Sequence, residues 1–344
     1  MLWAEHVARN TARNRDDVFA EVKRHFTDAQ LVELTTVCGM FAMLNRFQDC
    51  LHLPLDEPAT IDKIRGTVRL DAARIKAYMQ LLINRWPASY PPLQKDDAAC
   101  ARPAAEAARR SDDAPVTACR VALPDSKDLS RPAQRWFAAV DALLGGVPNS
   151  VRIWGDMPYL GMVCLPIHLA LEYEGLGCFL PGTLKAAVLI RTSYRNGAPY
   201  SLAHYLALGR NAGLSDDKIQ TIQSDEALNS GKLSPRESAA LLWADHISAN
   251  TARRNEEVFR RVRPHFNDAE LVELTVLCTT TDMVNRVHNA LRVPLEPAAE
   301  FAMLHRADVL DPADLKRHLE TVLEIWPAEC PAPDDQRERA PTNA

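Results

Sequence analysis

The feature that most constrains this chain is an internal duplication. Residues 2–91 match residues 242–331 at one constant offset and without a gap, and 36 of the 90 aligned positions are identical. Leu2-Trp3-Ala4 answers Leu242-Trp243-Ala244, Asn10-Thr11-Ala12-Arg13 answers Asn250-Thr251-Ala252-Arg253, and Trp86-Pro87-Ala88 answers Trp326-Pro327-Ala328. The offset, 242 − 2 = 240 residues, is far too long for a solenoid repeat, so it records one fold module copied in tandem. The second copy has extra sequence before it, from about residue 129 to 241, and the first opens at Met1 partway through the module. The expected organisation is therefore a half-module over residues 1–92, a flexible linker over 93–128, a complete module over 129–333 and a disordered polar tail over 334–344.

The modules read as helices. Asp28-Ala29-Gln30 is placed to cap a helix through Leu31, Leu34, Val37 and Cys38, and Asn267-Asp268 opens the same helix in the second copy. Ser234-Pro235-Arg236-Glu237 is a capping box with proline in the first turn. Ser215-Asp216-Asp217 starts another helix just after Gly213 ends the preceding one. Period-2 stretches are scarce, so the expected fold class is all-α.

Composition narrows the function classes. With 47% hydrophobic and 25% charged residues among 344, the chain can bury one large or two moderate cores. The net charge of −5 and the lack of a basic stripe argue against a nucleic-acid partner. No apolar run reaches the roughly 18 residues a membrane span needs, and the N-terminus lacks the pattern of a secretory signal, so a cytoplasmic protein with no membrane partner is expected. Cys38, Cys50, Cys100, Cys119, Cys164, Cys178, Cys278 and Cys330 show no CxxC spacing and read as reduced thiols. The ten histidines form no i, i+4 pair, so no metal site is expected.

The segment Leu184-Lys185-Ala186 to Arg195-Asn196-Gly197-Ala198-Pro199-Tyr200-Ser201-Leu202-Ala203-His204-Tyr205 resembles the signature of the carboxymuconolactone decarboxylase/AhpD-like superfamily, including its peroxidase-related members. Phe266 to Pro294, with Asn285-Arg286 and Leu291-x-x-Pro294-Leu295, resembles the second half of those members. The resemblance implies an AhpD-like helical module, here preceded by a duplicated C-terminal half-module, and a homo-oligomer built through such helices. It also implies a redox pair of cysteines, which this chain lacks. Ala198 stands at the first cysteine position, Ser201 at the second, and Ala186 at the upstream glutamate position. Alanine carries no thiol and a serine hydroxyl cannot cycle through a disulfide, so CxxC peroxidase chemistry is excluded at this site.

The reactive groups left at the signature are Tyr200, Ser201, His204 and Tyr205. Ser201 shares a helical face with His204 at i, i+3 and with Tyr205 at i, i+4. One reading makes His204 a general acid/base with a tyrosine donating to substrate; the other makes all four packing and capping residues of a retired site. A nucleophilic Ser201 lacks an acidic orienter for His204 nearby in sequence. Glu172 and Glu174, just before the site helix, are candidates for the missing carboxylate. Gly39-Met40-Phe41-Ala42 in the first copy has become Thr279-Thr280-Thr281-Asp282 in the second, and Asp282, Asn285 and Asn289 share one face. With Asn196, Asp282 and Asn285 are candidates for a polar, substrate-binding pocket beside His204. Asp245-His246, repeated as Glu5-His6, reads as structural.

Three functions remain open. The first is a lyase or isomerase acting on a small carboxylated or carbonyl substrate through histidine acid/base chemistry, with no cofactor. Carboxymuconolactone decarboxylase, in the resembling family, sets the precedent. The second is a catalytically silent binding or scaffold protein, and the third is a peroxidase-type oxidoreductase, which the missing thiols oppose.

Overall fold

The structure is a computed structural model, and it describes residues 1–64, 71–86, 118–174, 178–305 and 311–329. The described residues form helices and short 3-10 turns with no strand, so the fold is all-α. The first copy supplies α1 (Leu2–Ala8), α2 (Asp16–Lys23), α3 (Asp28–Cys50), α4 (Pro58–Ile64) and α5 (Ala72–Asn84). The sequence before the second copy supplies α6 (Arg131–Leu144), α7 (Asn149–Arg152), α8 (Pro158–Glu172), α9 (Gly182–Arg195), α10 (Pro199–Asn211) and α11 (Asp216–Ile222). The second copy supplies α12 (Pro235–Ser248), α13 (Glu256–Val262), α14 (Asp268–Leu291), α15 (Ala298–Leu304) and α16 (Pro312–Ile325). No helix among the described residues is long and apolar enough to cross a membrane.

Helix starts follow local chemistry. Ser234 and Asn267 each accept from the backbone three residues on, while Glu237 and Glu270 reach back to the cap backbone. α3 differs from the sequence expectation: its cap is Thr27, closed by Gln30, and Asp28 is the first helical residue. Asp28 turns its carboxylate to Lys23 and to the Ala122 amide instead.

The duplicated elements repeat their contacts. Trp3 Nε1 donates to Thr35 Oγ1 and Trp243 Nε1 to Thr275 Oγ1, each at 3.0 Å. Asn10 and Asn250 both hold φ of 55°. The two long helices of the repeat, α3 and α14, then pack on each other in opposite directions, Gly39 facing Met283 and Val287 while Thr280 reaches Met43. Contacts across this junction come in related pairs. Arg13 bonds Asn289 at 3.3 Å and Arg253 bonds Asp49 at 2.8 Å. Arg292 donates to the Arg13 carbonyl at 3.0 Å, and His52 to the Arg253 carbonyl at 3.2 Å. In each pair one partner moves up by the repeat offset and the other moves down by it. That is the signature of a two-fold relation between the copies, of the kind that joins two identical subunits.

Gly39 lies at the close approach. A Cβ there would meet Val287 Cγ2 at 3.1 Å and Met283 Cγ at 3.3 Å. Gly39→Leu is expected to destabilise the fold by about 1–3 kcal/mol through overpacking, read from the urea midpoint. An unchanged midpoint would show that the two helices slide apart without cost.

Among the described residues, a small core packs Trp3, Val7, Ala12 and Val18 on Ala290, and two larger cores flank the junction. One joins α9, α11, α12 and α14 around Trp243, Leu241 and Ile190, all fully buried. The other joins α6, α8 and α16 around Trp136, with Leu31 and Val32 of α3 closing it. α9 is buried from Leu184 to Ser193, including two cations. Lys185 pairs with Glu273 at 3.0 Å, and Arg191 makes a bidentate pair with Asp245, both bonds 2.7 Å. Pairing and hydrogen bonding of this kind offset the desolvation cost of burying the charges.

The expected linker, 93–128, lies mostly outside the described residues, as do the tail at 334–344, Cys100 and Cys330. At its C-terminal end the expectation is corrected. Arg120 ties this end to the helices, donating to the Ala12 and Ala290 carbonyls, each at 2.8 Å, and to Asp16 at 2.6 Å. Val121 beside it is buried. Small and polar residues gave no sign of this, since the acceptors come from remote segments.

Candidate functional site

The site grows from the turn between α9 and α10. Asn196-Gly197 makes this turn, with Gly197 at φ 54°, and Pro199 occupies the first turn of α10. The helix then turns Tyr200, Ser201, His204 and Tyr205 into one cavity of about 130 Å³. Apolar residues such as Val151, Trp154, Leu165 and Val284 form much of its wall.

His204 has a carboxylate partner that local sequence did not show. Its Nε2 lies 2.9 Å from Glu296 Oε2, and the Glu296 side chain is fully buried. Glu296 also accepts from Tyr200 OH at 2.7 Å and from the Asn149 amide at 2.6 Å. Burial alone would raise this carboxyl. The bonds from His204, Asn149 and Tyr200 outweigh it and hold the carboxyl down at about 2. On the other side, His204 Nδ1 is 3.0 Å from His305 Nε2. Glu296, His204 and His305 thus form a continuous hydrogen-bonded line.

Ser201 is bonded to a different imidazole, His288 Nδ1, at 2.9 Å. Burial first, and the nearby His168 and His204 next, push His288 down to about 3, so this ring is neutral at pH 7. His305 is likewise lowered to about 3, by burial and then by His204. Tyr205 OH donates to Glu172 Oε1 at 2.7 Å, and burial with the adjacent carboxylate raises its phenol well above the ordinary value. Tyr200 is raised for the same reasons, burial and then Glu296. Of the two acidic candidates before the site helix, Glu172 lines the cavity, while Glu174 accepts from the Gly182 amide at the start of α9.

The other candidates lie elsewhere. Asn196, Asp282 and Asn285 do not line the cavity with His204. Asn196 Nδ2 donates to Asp282 Oδ1 at 3.0 Å, and Ser193 Oγ to Asn285 Oδ1 at 3.3 Å. Asp282 holds Arg286 by two bonds, of 2.8 and 3.1 Å, and faces Arg46 at 3.3 Å. The pocket expected beside His204 is in fact a packed polar junction between the copies. The physical reason is that two arginines at equivalent repeat positions, 46 and 286, converge there and need an anion.

Sequence reasoning missed Glu296, His288, His305 and His168. Glu296 and His288 have Asp56 and Gln48 at their repeat-equivalent positions, so comparing the copies could have marked His288 as a residue of the complete module alone.

No protein-family model matches the chain. An uncharacterized protein, YdfG, of Bacillus subtilis (strain 168) is 26% identical over 110 residues, which is 32% of this chain and 74% of that protein. Among solved structures, the chain is similar to an alkylhydroperoxidase AhpD core, an uncharacterized peroxidase-related protein from Ralstonia eutropha JMP134. The identity is 19%, the alignment covers 55% of this chain and 97% of that one, and the TM-score is 0.46. It is also similar to the debrominase Bmp8 in its apo form, at 18% identity over 51% of this chain and 92% of that one, with a TM-score of 0.38. A substituted form of Bmp8 in complex with 2,3,4-tribromopyrrole matches at 18% identity over 54% of this chain and 96% of that one, with a TM-score of 0.41.

Proposed function

We propose that this protein is an enzyme of lyase or isomerase type that moves a proton on a small carbonyl-bearing substrate. The observation that carries the reading is the Glu296–His204 pair in a cavity. A buried carboxylate at 2.9 Å fixes the ring and stabilises the imidazolium that forms when His204 takes a proton. Nδ1 is then the reacting nitrogen, and a substrate atom takes the position now held by His305 Nε2. His305 is the C-cap residue of α15 and packs on Phe301, and its ring has to give way for a substrate to reach Nδ1.

His288 supplies the second element. Taking the Ser201 hydroxyl as the donor to Nδ1 puts the ring proton on Nε2. A neutral imidazole is a suitable donor to an oxygen that gains negative charge, because it stays neutral while polarising the carbonyl. Ser201 is in this account a positioning residue. Its base partner is held at about 3, too weak to make it a nucleophile at neutral pH. Among the described residues, the cavity wall contains no lysine or arginine, which favours a neutral carbonyl compound over a carboxylate. Thiol chemistry gains no support. Burial raises Cys164 to about 11 and Cys50, with Asp49 adding to it, to about 12, so neither carries useful thiolate.

The test uses cyclohexanone, 3-cyclohexen-1-one and a carboxylated butenolide in D2O, with exchange of α-hydrogen and release of CO2 followed by NMR. His204→Gln and Glu296→Gln are each expected to lower the active reaction by about 10²–10⁴-fold. Wild-type rates in both variants would end the proposal.

A further inference from the structure

Among the described residues, four imidazoles border the cavity, and three of them are already engaged. His204 is bonded at both nitrogens, His288 to Ser201, and His305 to His204. His168 is different. Its Nε2 is buried and has no hydrogen-bond partner among the described residues. Its Nδ1 faces Glu172 Oε1 at 3.6 Å, one turn further along α8. Glu172 is itself steadied by the Tyr205 hydroxyl at 2.7 Å. A buried polar atom without a partner is costly unless a water or a ligand satisfies it, and His168 borders the cavity where either could do so.

The placement points the same way. His168 projects from α8, whereas His204 projects from α10. Both border the cavity, and both act on His288, lowering its basicity. The site thus holds two imidazoles, each with a carboxylate behind it, and a neutral hydrogen-bond donor in the same cavity. A decarboxylation or a simple deprotonation needs only one such pair. Two pairs suit a reaction in which a proton leaves one carbon and another proton arrives at a second.

We propose that His168, positioned by Glu172, is the second acid–base group of this cavity, and that the substrate is a small β,γ-unsaturated carbonyl compound which the enzyme isomerises to its conjugated form. The inference rests on the reading of His204 given above and narrows its substrate class. In the first step His204 Nδ1 takes a proton from the carbon between the carbonyl and the double bond. The C–H electron pair moves into a dienolate, whose oxygen accepts from His288 Nε2. In the second step the oxygen's electrons return, the double bond shifts, and His168 Nε2 delivers its proton to the γ carbon. One proton is lost and one gained, so the product is an isomer and no oxidant or reductant is consumed. His204 sheds its proton to water and His168 regains one, which resets the pair.

The experiment follows 3-cyclohexen-1-one in D2O with the full-length protein. Isomerisation is read by the ultraviolet absorbance of the conjugated enone, and α-hydrogen exchange by NMR. His168→Gln is expected to lower isomerisation by about 10²-fold or more, while exchange, which needs only His204, falls less than about tenfold. Glu172→Gln should show the same split to a smaller degree. A side chain that merely supported the fold would lower both rates together. Glu172→Gln therefore serves as the second reading where His168→Gln fails to fold by circular dichroism. Isomerisation undiminished in the folded variants, or both rates falling in parallel, overturns the assignment of His168. Exchange without isomerisation in the wild type also overturns it, and leaves the role of His204 standing. If the wild type catalyses neither process on this ketone while exchanging cyclohexanone, the substrate class is wrong. If it exchanges no ketone and releases no CO2, the acid–base reading of the cavity falls as well.

Discussion

Asp282→Ala is expected to destabilise the protein by about 3–5 kcal/mol, the cost of leaving a buried charge without its counterion. Asp282 is fully buried and bonds Arg286 twice, with Arg46 at 3.3 Å on its other side. Arg46 and Arg286 occupy equivalent positions of the two copies, and both are buried. The first copy has Ala42 where the second has Asp282, so one carboxylate serves both guanidinium groups. The variant would leave two buried cations with backbone carbonyls alone: Ala42 for Arg46, and Val7 and Ala8 for Arg286. Urea denaturation measures the loss. Adding Arg46→Met to Asp282→Ala should recover part of it, since one of the two unpaired cations is then gone. A loss under about 1 kcal/mol would mean that carbonyl oxygens suffice, and that the carboxylate is not what holds the copies together.

This junction also shows what sequence could and could not reveal. The repeat, the helix caps at Ser234 and Asn267 and the all-α class all depend on residues close together in the chain, or on a pattern that repeats verbatim. They were legible for that reason. The polarity of Asp282, Asn285 and Asn289 was legible too, but its meaning was not. Whether a buried carboxylate faces a substrate or an arginine depends on which helix lies opposite, and α3 lies 240 residues away in the alignment of the copies. The same holds for His204. Tyr200, Ser201 and Tyr205 were found by helical spacing from it, whereas its carboxylate, Glu296, comes from a loop 92 residues on. The imidazole that binds Ser201 comes from another helix again, 87 residues away. Periodicity finds partners on one helix and is silent about partners brought together by packing.

Acid is expected to unfold the protein well above the pH at which carboxylates titrate, beginning near pH 6.5. Burial, with His168 and His204 adding to it, lowers His288 from 6.5 to about 3, and burial followed by His204 does the same to His305. The unfolded chain therefore takes up protons at these rings below pH 6.5, and the native state refuses them until about pH 3. In that window the unfolded state binds more protons, so stability falls as pH falls, by about 1.4 kcal/mol per pH unit for each group. His318 is buried near the second core and lowered by burial, so it pushes the same way. Glu296 adds to the loss at the lower end. Its native value of about 2 lies below the ordinary 4.5, so its contribution is complete above pH 4.5 and disappears as pH drops toward 2. All four groups act in one direction, and the two cavity histidines alone remove about 5 kcal/mol by pH 4.5, the whole stability of a marginal domain. Urea midpoints at pH 7.5, 6.5, 5.5 and 4.5 should therefore fall steeply over the last two intervals. His288→Gln removes one titrating ring and should flatten the slope by about one proton. It should also weaken the reaction assigned to the cavity, because the groups that make the site chemically useful are the ones whose burial makes the fold sensitive to acid. A midpoint that stays level from pH 7.5 to 4.5 would mean that these rings gain protons without opposition, and the neutral His288 on which carbonyl polarisation depends would be lost with it.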